Sequence, residues 1–214
     1  VIAAGGDDHL KYVSHYVTNT PLIGLNTDPL KSRGGLLEDN IEKALVALED
    51  NKFEIVDETR IDALINGKLY IPAMATYNLR KYPNSFANFR YRIEFKGEED
   101  EHDITTGISA YVGNGVGDWP RGAGKYLDKF HEFKSTDKIM SWVVHEGNDY
   151  YRPEGYKLLT GLAKPGEELC ITSYKDHCAI APDAVVEHIK VVNSGDQIVF
   201  RISDKSLKKV MITE

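Results

Sequence analysis

Cysteine is scarce: Cys170 and Cys178 are the only two in 214 residues. That excludes a disulfide-built secreted scaffold, and with no companion ligands the pair makes no zinc pattern. The two read as free buried thiols in a reducing compartment, although facing positions across a hairpin stay open. A basic stripe is missing as well. Twenty-six Lys and Arg stand against 33 Asp and Glu, a net charge of −7, so nucleic acid is not an expected partner. No apolar run reaches membrane-spanning length, which removes a bilayer-crossing helix from the expectations. The seven histidines form no metal spacing and no triad. An anionic nucleotide would therefore have to be attracted by backbone N–H groups and a metal ion.

What is present suits one large or two small globular domains, with 42% hydrophobic and 28% charged residues. Such a chain buries a core without staples. It starts at Val1, inside what reads as a buried strand, so residues before Val1 are expected to be absent, together with any targeting segment.

Val1-Ile2-Ala3-Ala4 leads into Gly5-Gly6-Asp7-Asp8, and Leu10, Val13 and Val17 then fall at helical spacing. The pattern predicts a strand, a glycine turn and a helix over about residues 8 to 19, stopped by Pro21. A turn without Cβ atoms admits close backbone approach. The helix N-terminus offers N–H groups to a phosphate. A carboxylate at the strand end can hold a metal or orient a hydroxyl. Leu22 to Leu25 reads as a second, parallel strand, ending in the polar turn Asn26-Thr27-Asp28-Pro29. In open α/β sheets ligands sit at such strand ends, so Asp7 and Asn26 to Asp28 are expected to face one crevice. Asp39 with Glu42 predicts a capping box for a helix whose apolar face is Ile41, Ala44, Leu45 and Leu48.

The period then becomes alternating. Asn66-Gly67 is a hairpin signal, and Phe89, Tyr91, Ile93 and Phe95 alternate with charged residues. Glu98 to Asp103 reads as a solvated acidic loop. Further strands are expected near 104–112, 139–145, 168–173, 185–192, 197–202 and 207–213. Tyr150, Tyr151 and Tyr156 read as packing aromatics. The fold class is α/β followed by all-β, with an α/β nucleotide-binding part over 1–57 and an antiparallel β domain over 58–214. A second glycine cluster follows the stretch Ile104 to Val112: Gly113-Asn114-Gly115-Val116-Gly117-Asp118-Trp119. It reads as a binding loop, with Asp118 a carboxylate and Trp119 a flat surface for a base or ribose.

These motifs, in this order, resemble the NAD kinases. That family has a Gly-Gly-Asp-Gly turn after a strand, matched at three of four positions by Gly5 to Asp8. Ile23-Gly24-Leu25-Asn26 approximates its isoleucine-glycine-asparagine strand end. Asn26 to Pro29, followed by Ser32 and Gly34, is most similar to the mitochondrial-type branch. Asn78-Leu79 stands at its Asn-Glu pair, Gly113 to Trp119 at its glycine-rich loop, and Asp183 at its late Asp-Gly.

The resemblance implies a partial Rossmann-like layer joined to a β-sandwich. It implies transfer of a phosphoryl group from ATP, with Mg²⁺, to the 2′-hydroxyl of the adenosine ribose of NAD. Asp7 would be the base or hydroxyl-orienting group. A carboxylate of ordinary pKa about 3.9 is a weak base, so proton transfer would come late. Gly5, Gly6 and the loop Gly113-Asn114-Gly115 would cradle phosphates. Asn26, Thr27, Asp28 and Asn78 would contact nucleotide, and Asp118 and Trp119 would border it. A homo-oligomer in the mitochondrion or cytoplasm is the family's habit.

Four departures bear on this. Asp8 replaces a glycine, and two charges about 4 Å apart cost roughly 4 kcal/mol at an effective dielectric of 20 unless a metal bridges them. Asp8 is thus a metal ligand, a helix cap or an obstacle to the donor. Leu79 replaces the family's Glu, and Val116 and Gly117 replace hydroxyl or basic residues. These leave open a binding relative or partner subunit without turnover. A lipid-kinase relative, which also has the Gly-Gly-Asp-Gly turn, is a further alternative that Asn26 to Pro29 disfavours. Asp183, after Pro182, reads as a turn residue.

Overall fold

A computed structural model describes residues 1–32, 34–83, 87–124, 130–146 and 154–213. The expected packing role of Tyr150 and Tyr151 lies outside them, while Tyr156 stacks on His102 with centroids 4.5 Å apart. Strand β1 (Ile2–Gly5) runs into helix α1 (Asp7–Ser14), and β2 (Ile23–Asn26) returns parallel to β1. Gly5 lies opposite Asn26 in that register. Parallel neighbours require a crossover, and α1 supplies it. Ala3, Leu10, Val17 and Leu22 form its core with Met74, Ala75 and Leu207.

The helix ends at Ser14, five residues before the expected limit. The buried Arg60 guanidinium explains the stop. Its Nη2 donates to the Ser14 carbonyl at 3.1 Å and its Nη1 to that of Val17 at 3.0 Å. Carbonyls at a helix end have no intrahelical partner, and this cation takes two at that end.

Helix α2 (Ile41–Glu49) differs from expectation in two respects. Its cap is Asn40, whose side chain accepts from the Lys43 N–H at 2.9 Å. Asp39 instead accepts from the Asn26 amide at 2.7 Å. Ala44 and Ala47 are its buried residues, while Leu45 is exposed. The helix lies on Ile23, Leu25 and Val210, where small side chains allow close approach.

The rest is mostly β. The strands are β3 (Phe53–Glu58), β4 (Ile61–Ile65), β5 (Lys68–Leu69), β6 (Thr76–Lys81), β7 (Phe89–Phe95), β8 (Glu98–Thr105) and β9 (Gly107–Tyr111). After a 3₁₀ turn at Gly113–Gly115 and helix α3 (Trp119–Gly124) come β10 (Met140–His145), β11 (Thr160–Ala163), β12 (Glu168–Ser173) and β13 (Cys178–Pro182). A second 3₁₀ turn, Val186–His188, precedes β14 (Lys190–Val192), β15 (Gln197–Ile202) and β16 (Leu207–Ile212).

Two six-stranded sheets form a sandwich, ordered β5-β4-β15-β12-β7-β8 and β11-β10-β9-β6-β13-β14. Ile93, Ile171 and Phe200 of the first pack with Tyr77, Ile108 and Trp142 of the second. Asn66 and Gly67, with φ of 51° and 75°, turn the β4–β5 hairpin as a primed turn requires.

The acidic stretch Glu98 to Asp103 is a strand, not a loop. It is the edge strand β8, paired with β7 across a turn at Lys96 and Gly97. Asp100 and His102 point inward and are buried, while Glu98, Glu99, Glu101 and Asp103 are exposed. Outward charge on an edge discourages pairing with another chain. The continuous strand expected over 104–112 is divided at Thr106, because β8 and β9 belong to different sheets. The expected strand over 185–192 is reduced to β14 behind a 3₁₀ turn. Strands β3, β6, β11 and β13 had no clear signal in the sequence. The final strand β16 pairs with β3, and Lys209 bridges Leu22, so the chain's end lies with its beginning. Cys170 and Cys178 are both free thiols.

Candidate functional site

Gly6 sits at the junction of β1 and α1 in extended conformation, and the first helical residue is Asp7. A Cβ on Gly5 would come within 3.0 Å of the His9 side chain, whereas one on Gly6 would meet nothing within 4 Å. The Asp7 carboxylate accepts two backbone N–H bonds, from Gly35 at 3.0 Å and Leu36 at 3.1 Å. Each carboxylate oxygen has further acceptor capacity beyond that one bond.

Asp7 opens onto a cavity of about 730 Å³ that Gly113, Asn114, Gly117 and Asp118 also line. Asp7 and the second glycine cluster, more than a hundred residues apart in sequence, thus line one space, while Gly5 and Gly6 stand outside its lining. The cluster's glycines serve different ends. A Cβ on Gly113 would lie 2.2 Å from the Lys134 backbone, and one on Gly115 2.4 Å from the Ala75 carbonyl. Those two let backbone cross backbone. Gly117 has nothing within 4 Å and borders the cavity itself.

The cavity wall is acidic. Asp7, Asp118, Glu54 and Glu58 line it, and Lys134 is the one lining cation among the described residues. Asp118 is bound by Lys11 of α1 at 2.8 Å. Burial alone would lower the Lys11 ammonium, but its hydrogen bond to Asp118 and the charges of Asp118, Asp183 and Asp8 leave it above its ordinary value. Glu58 accepts from the Asn114 amide at 2.7 Å and lies 3.6 Å from Lys209. Among the described residues no group of three or more ligating side chains gathers to hold a metal. Mg²⁺ is commonly held by one or two carboxylates plus substrate phosphates. Asp7 and Asp118 are lining carboxylates of the kind that would contact an ion carried on a phosphate ligand.

The other expected residues lie elsewhere. Asp8 is exposed, makes no cap bond and does not line the cavity. Asn26 is buried and occupied by its own loop: it donates to Ser32 and Asp39 and accepts from the Asp28 N–H. Thr27 and Asp28 are exposed, with Lys31 3.6 Å from Asp28.

Asn78 and Trp119 belong to a second cluster. Asn78 accepts from the Ser109 hydroxyl at 2.5 Å, and Ser109 lies 2.9 Å from Nε2 of the buried His145. Arg80 donates to His145 Nδ1 at 3.0 Å and stacks on the Trp119 indole, 4.3 Å from its centroid. Burial first, and then the Arg80 charge, push the His145 imidazole down to about 3. With Nδ1 accepting from Arg80, the neutral ring carries its proton on Nε2 and donates it to Ser109. Ser109 therefore has no base, and the pair is not a nucleophile dyad.

Asp183 does occupy a turn, with φ of 51°. Its carboxylate is also buried and accepts from three consecutive N–H groups, those of Met74, Ala75 and Thr76, each at 2.8 Å. Sequence reasoning did not point to Glu54, Glu58, Gly35 or Leu36 as part of the cavity, nor to His145 beside Ser109. Only Ser32 and Gly34, next to Gly35, carried a signal.

No protein-family model matches the sequence, and no curated protein does. Solved structures do. Yeast NADH kinase, crystallised with NADH, superposes with a TM-score of 0.76 at 13% identity over 100% of this chain. The chain spans 62% of that protein's length. The NAD kinase of Archaeoglobus fulgidus, in complex with ATP, superposes with a TM-score of 0.70 at 15% identity, over 99% of this chain and 76% of the archaeal one. The chain is similar in fold to the NAD kinases, through their β-sandwich portion.

Proposed function

We propose that the protein is a divergent NAD kinase that moves the terminal phosphoryl group of ATP to the 2′-hydroxyl of the adenosine ribose of NAD. One observation carries this reading: Asp7, at the end of the Gly5-Gly6 turn, lines the same cavity as Gly113, Asn114, Gly117 and Asp118. The similar structures hold NADH and ATP, ligands of the classes this reading requires. We take the parallel β1–α1–β2 unit as part of a Rossmann-like layer within 1–57, and 58–214 as the β domain.

In this reading Asp7, fixed by two backbone donors, accepts the ribose hydroxyl and holds it in line for attack. Gly117 leaves space at the cavity for phosphate oxygens to approach backbone. Lys134 supplies positive charge at the rim. Mg²⁺ arriving with ATP would neutralise developing phosphate charge against the acidic wall. Loss of water from the cavity strengthens each of these contacts.

The test is NADP formation from NAD or NADH with ATP and Mg²⁺, read by an NADP-specific dehydrogenase. Turnover is expected, and Asp7→Asn is expected to lower it by about a hundredfold or more. The same variant loses one N–H bond to the 35–36 backbone, at a stability cost of about 1 kcal/mol. Unchanged turnover in a folded Asp7→Asn protein removes the residue from the mechanism. A second reading, a dinucleotide-binding relative without turnover, is favoured by the bonds that already occupy Asp7 and by the acidic wall. It predicts no NADP but a higher melting temperature with NAD.

A further inference from the structure

The C-terminal end of α1 is fastened by a hydrogen-bonded pair of histidines. The Asp183 carboxylate accepts from the Ala75 and Thr76 N–H groups through Oδ1. Through Oδ2 it accepts from the Met74 N–H and faces His15 Nε2, each at 2.8 Å. A carboxylate within this set only accepts, so His15 Nε2 carries a hydrogen. The other nitrogen of that ring, Nδ1, lies 2.7 Å from Nδ1 of His188 in the second 3₁₀ turn. Two ring nitrogens that close hold one hydrogen between them, whichever ring donates it. His188 Nε2 meets the Tyr16 hydroxyl at 3.0 Å, and its ring stacks on Tyr12 at 5.5 Å and 7°. Tyr12, His15 and Tyr16 therefore clasp His188 from the α1 side.

We propose that the His15–His188 pair is a proton-operated catch. With one hydrogen between the rings it holds the end of α1 on Asp183, and a second proton sets N–H against N–H and releases the helix that presents Asp7. The inference does not depend on the kinase reading.

Burial disfavours a second proton on His188, whereas the Asp183 carboxylate in contact with the pair favours one; the same carboxylate acts on Lys11 of α1 and on Arg60, just before β4. The Tyr16 and Tyr77 hydroxyls near this cluster are held above their ordinary value, and Glu187 lies beside His188. Burial first, and then the neighbouring His15, lower His188, with Glu187 opposing. A base lowered in the folded state gives stability that is present above its unfolded value and is lost as pH falls through the folded one. Acidification is therefore the direction that opens the catch.

The experiment is amide hydrogen exchange, corrected for intrinsic rates, at about pH 7.5 and about pH 4.5, above and well below the ordinary histidine value. It is run on the wild type and on His188→Gln, where an uncharged amide can bond His15 without repulsion. Peptides covering residues 7–18 in the wild type are expected to lose about tenfold or more in protection at the lower pH, while β12 and β15 do not. His188→Gln is expected to show equal protection at both. Equal wild-type protection at the two pH values, or the same loss in His188→Gln, overturns the proposal. Should the variant fail to fold, side-chain nitrogen NMR of the wild type decides. One shared Nδ1–H with a second proton entering well below the usual histidine range supports the catch. Two rings titrating independently near that range overturn it.

Discussion

Glycine residues in one loop can look alike in sequence and differ in what they do. Gly113 permits a backbone crossing, because a Cβ there would lie 2.2 Å from Lys134. Gly117 borders the cavity with open space around its Cα. The same substitution should therefore part the two. Gly113→Ala forces backbone apart and is expected to cost about 3 kcal/mol, read as a shift of the urea midpoint. Gly117→Ala is expected to stay within about 0.5 kcal/mol of the parent while weakening nucleotide binding measured by calorimetry. Composition alone could not separate them. Spacing pointed to close approach somewhere in Gly113 to Trp119, but which glycine approaches what depends on Lys134 and Ala75, fixed only by the packed chain.

At the scale of elements, α1 is short and held from outside. Eight residues are too few for a helix to persist alone. Its stability comes from Leu10 in the core, from Lys11 on Asp118, and from Arg60 across its last carbonyls. Arg60 also donates to the Pro72 carbonyl at 2.9 Å, so one guanidinium joins helix, strand and connecting loop. Replacing it by methionine keeps the bulk and leaves three carbonyls without that partner. Arg60→Met is expected to cost on the order of 3 kcal/mol, and thermal unfolding should show a drop of roughly 6 to 12 °C. The edge strand β8 makes a related point. Its alternation was visible as Asp100 and His102 among outward acids, but a run of charge hid the period. The inward Asp100 is tolerated because the Lys157 and Leu158 N–H groups bond it.

For the whole molecule, acid sensitivity follows from imidazoles kept neutral inside. His145, lowered to about 3 by burial and by Arg80, binds no proton in the folded state where the unfolded chain does. Its contribution is complete above the ordinary histidine value of about 6.5 and declines below it, by at most about 1.4 kcal/mol per pH unit. His188 adds in the same direction. Unfolding free energies measured by urea titration between about pH 7 and pH 4 should fall for the wild type. They should fall less steeply for His145→Asn, which has no imidazole to protonate at that position.

The local layout was determined by the sequence itself: a strand, a glycine turn with Asp7, a crossover helix, a parallel strand, then alternating β. These depend on periods and turn chemistry that act over a few residues. The resemblance of Gly5 to Asp8 and Gly113 to Trp119 to one family's motifs was also legible, and the fold agrees with it. Tertiary structure decided the rest. It placed Asp7 on one cavity with Gly117 and Asp118, gave Asn26 and Asn78 partners outside that cavity, and turned Asp183 from a turn residue into the anchor of His15. Those outcomes depend on sheet register and on side chains more than a hundred residues apart. No short-range pattern carries that information.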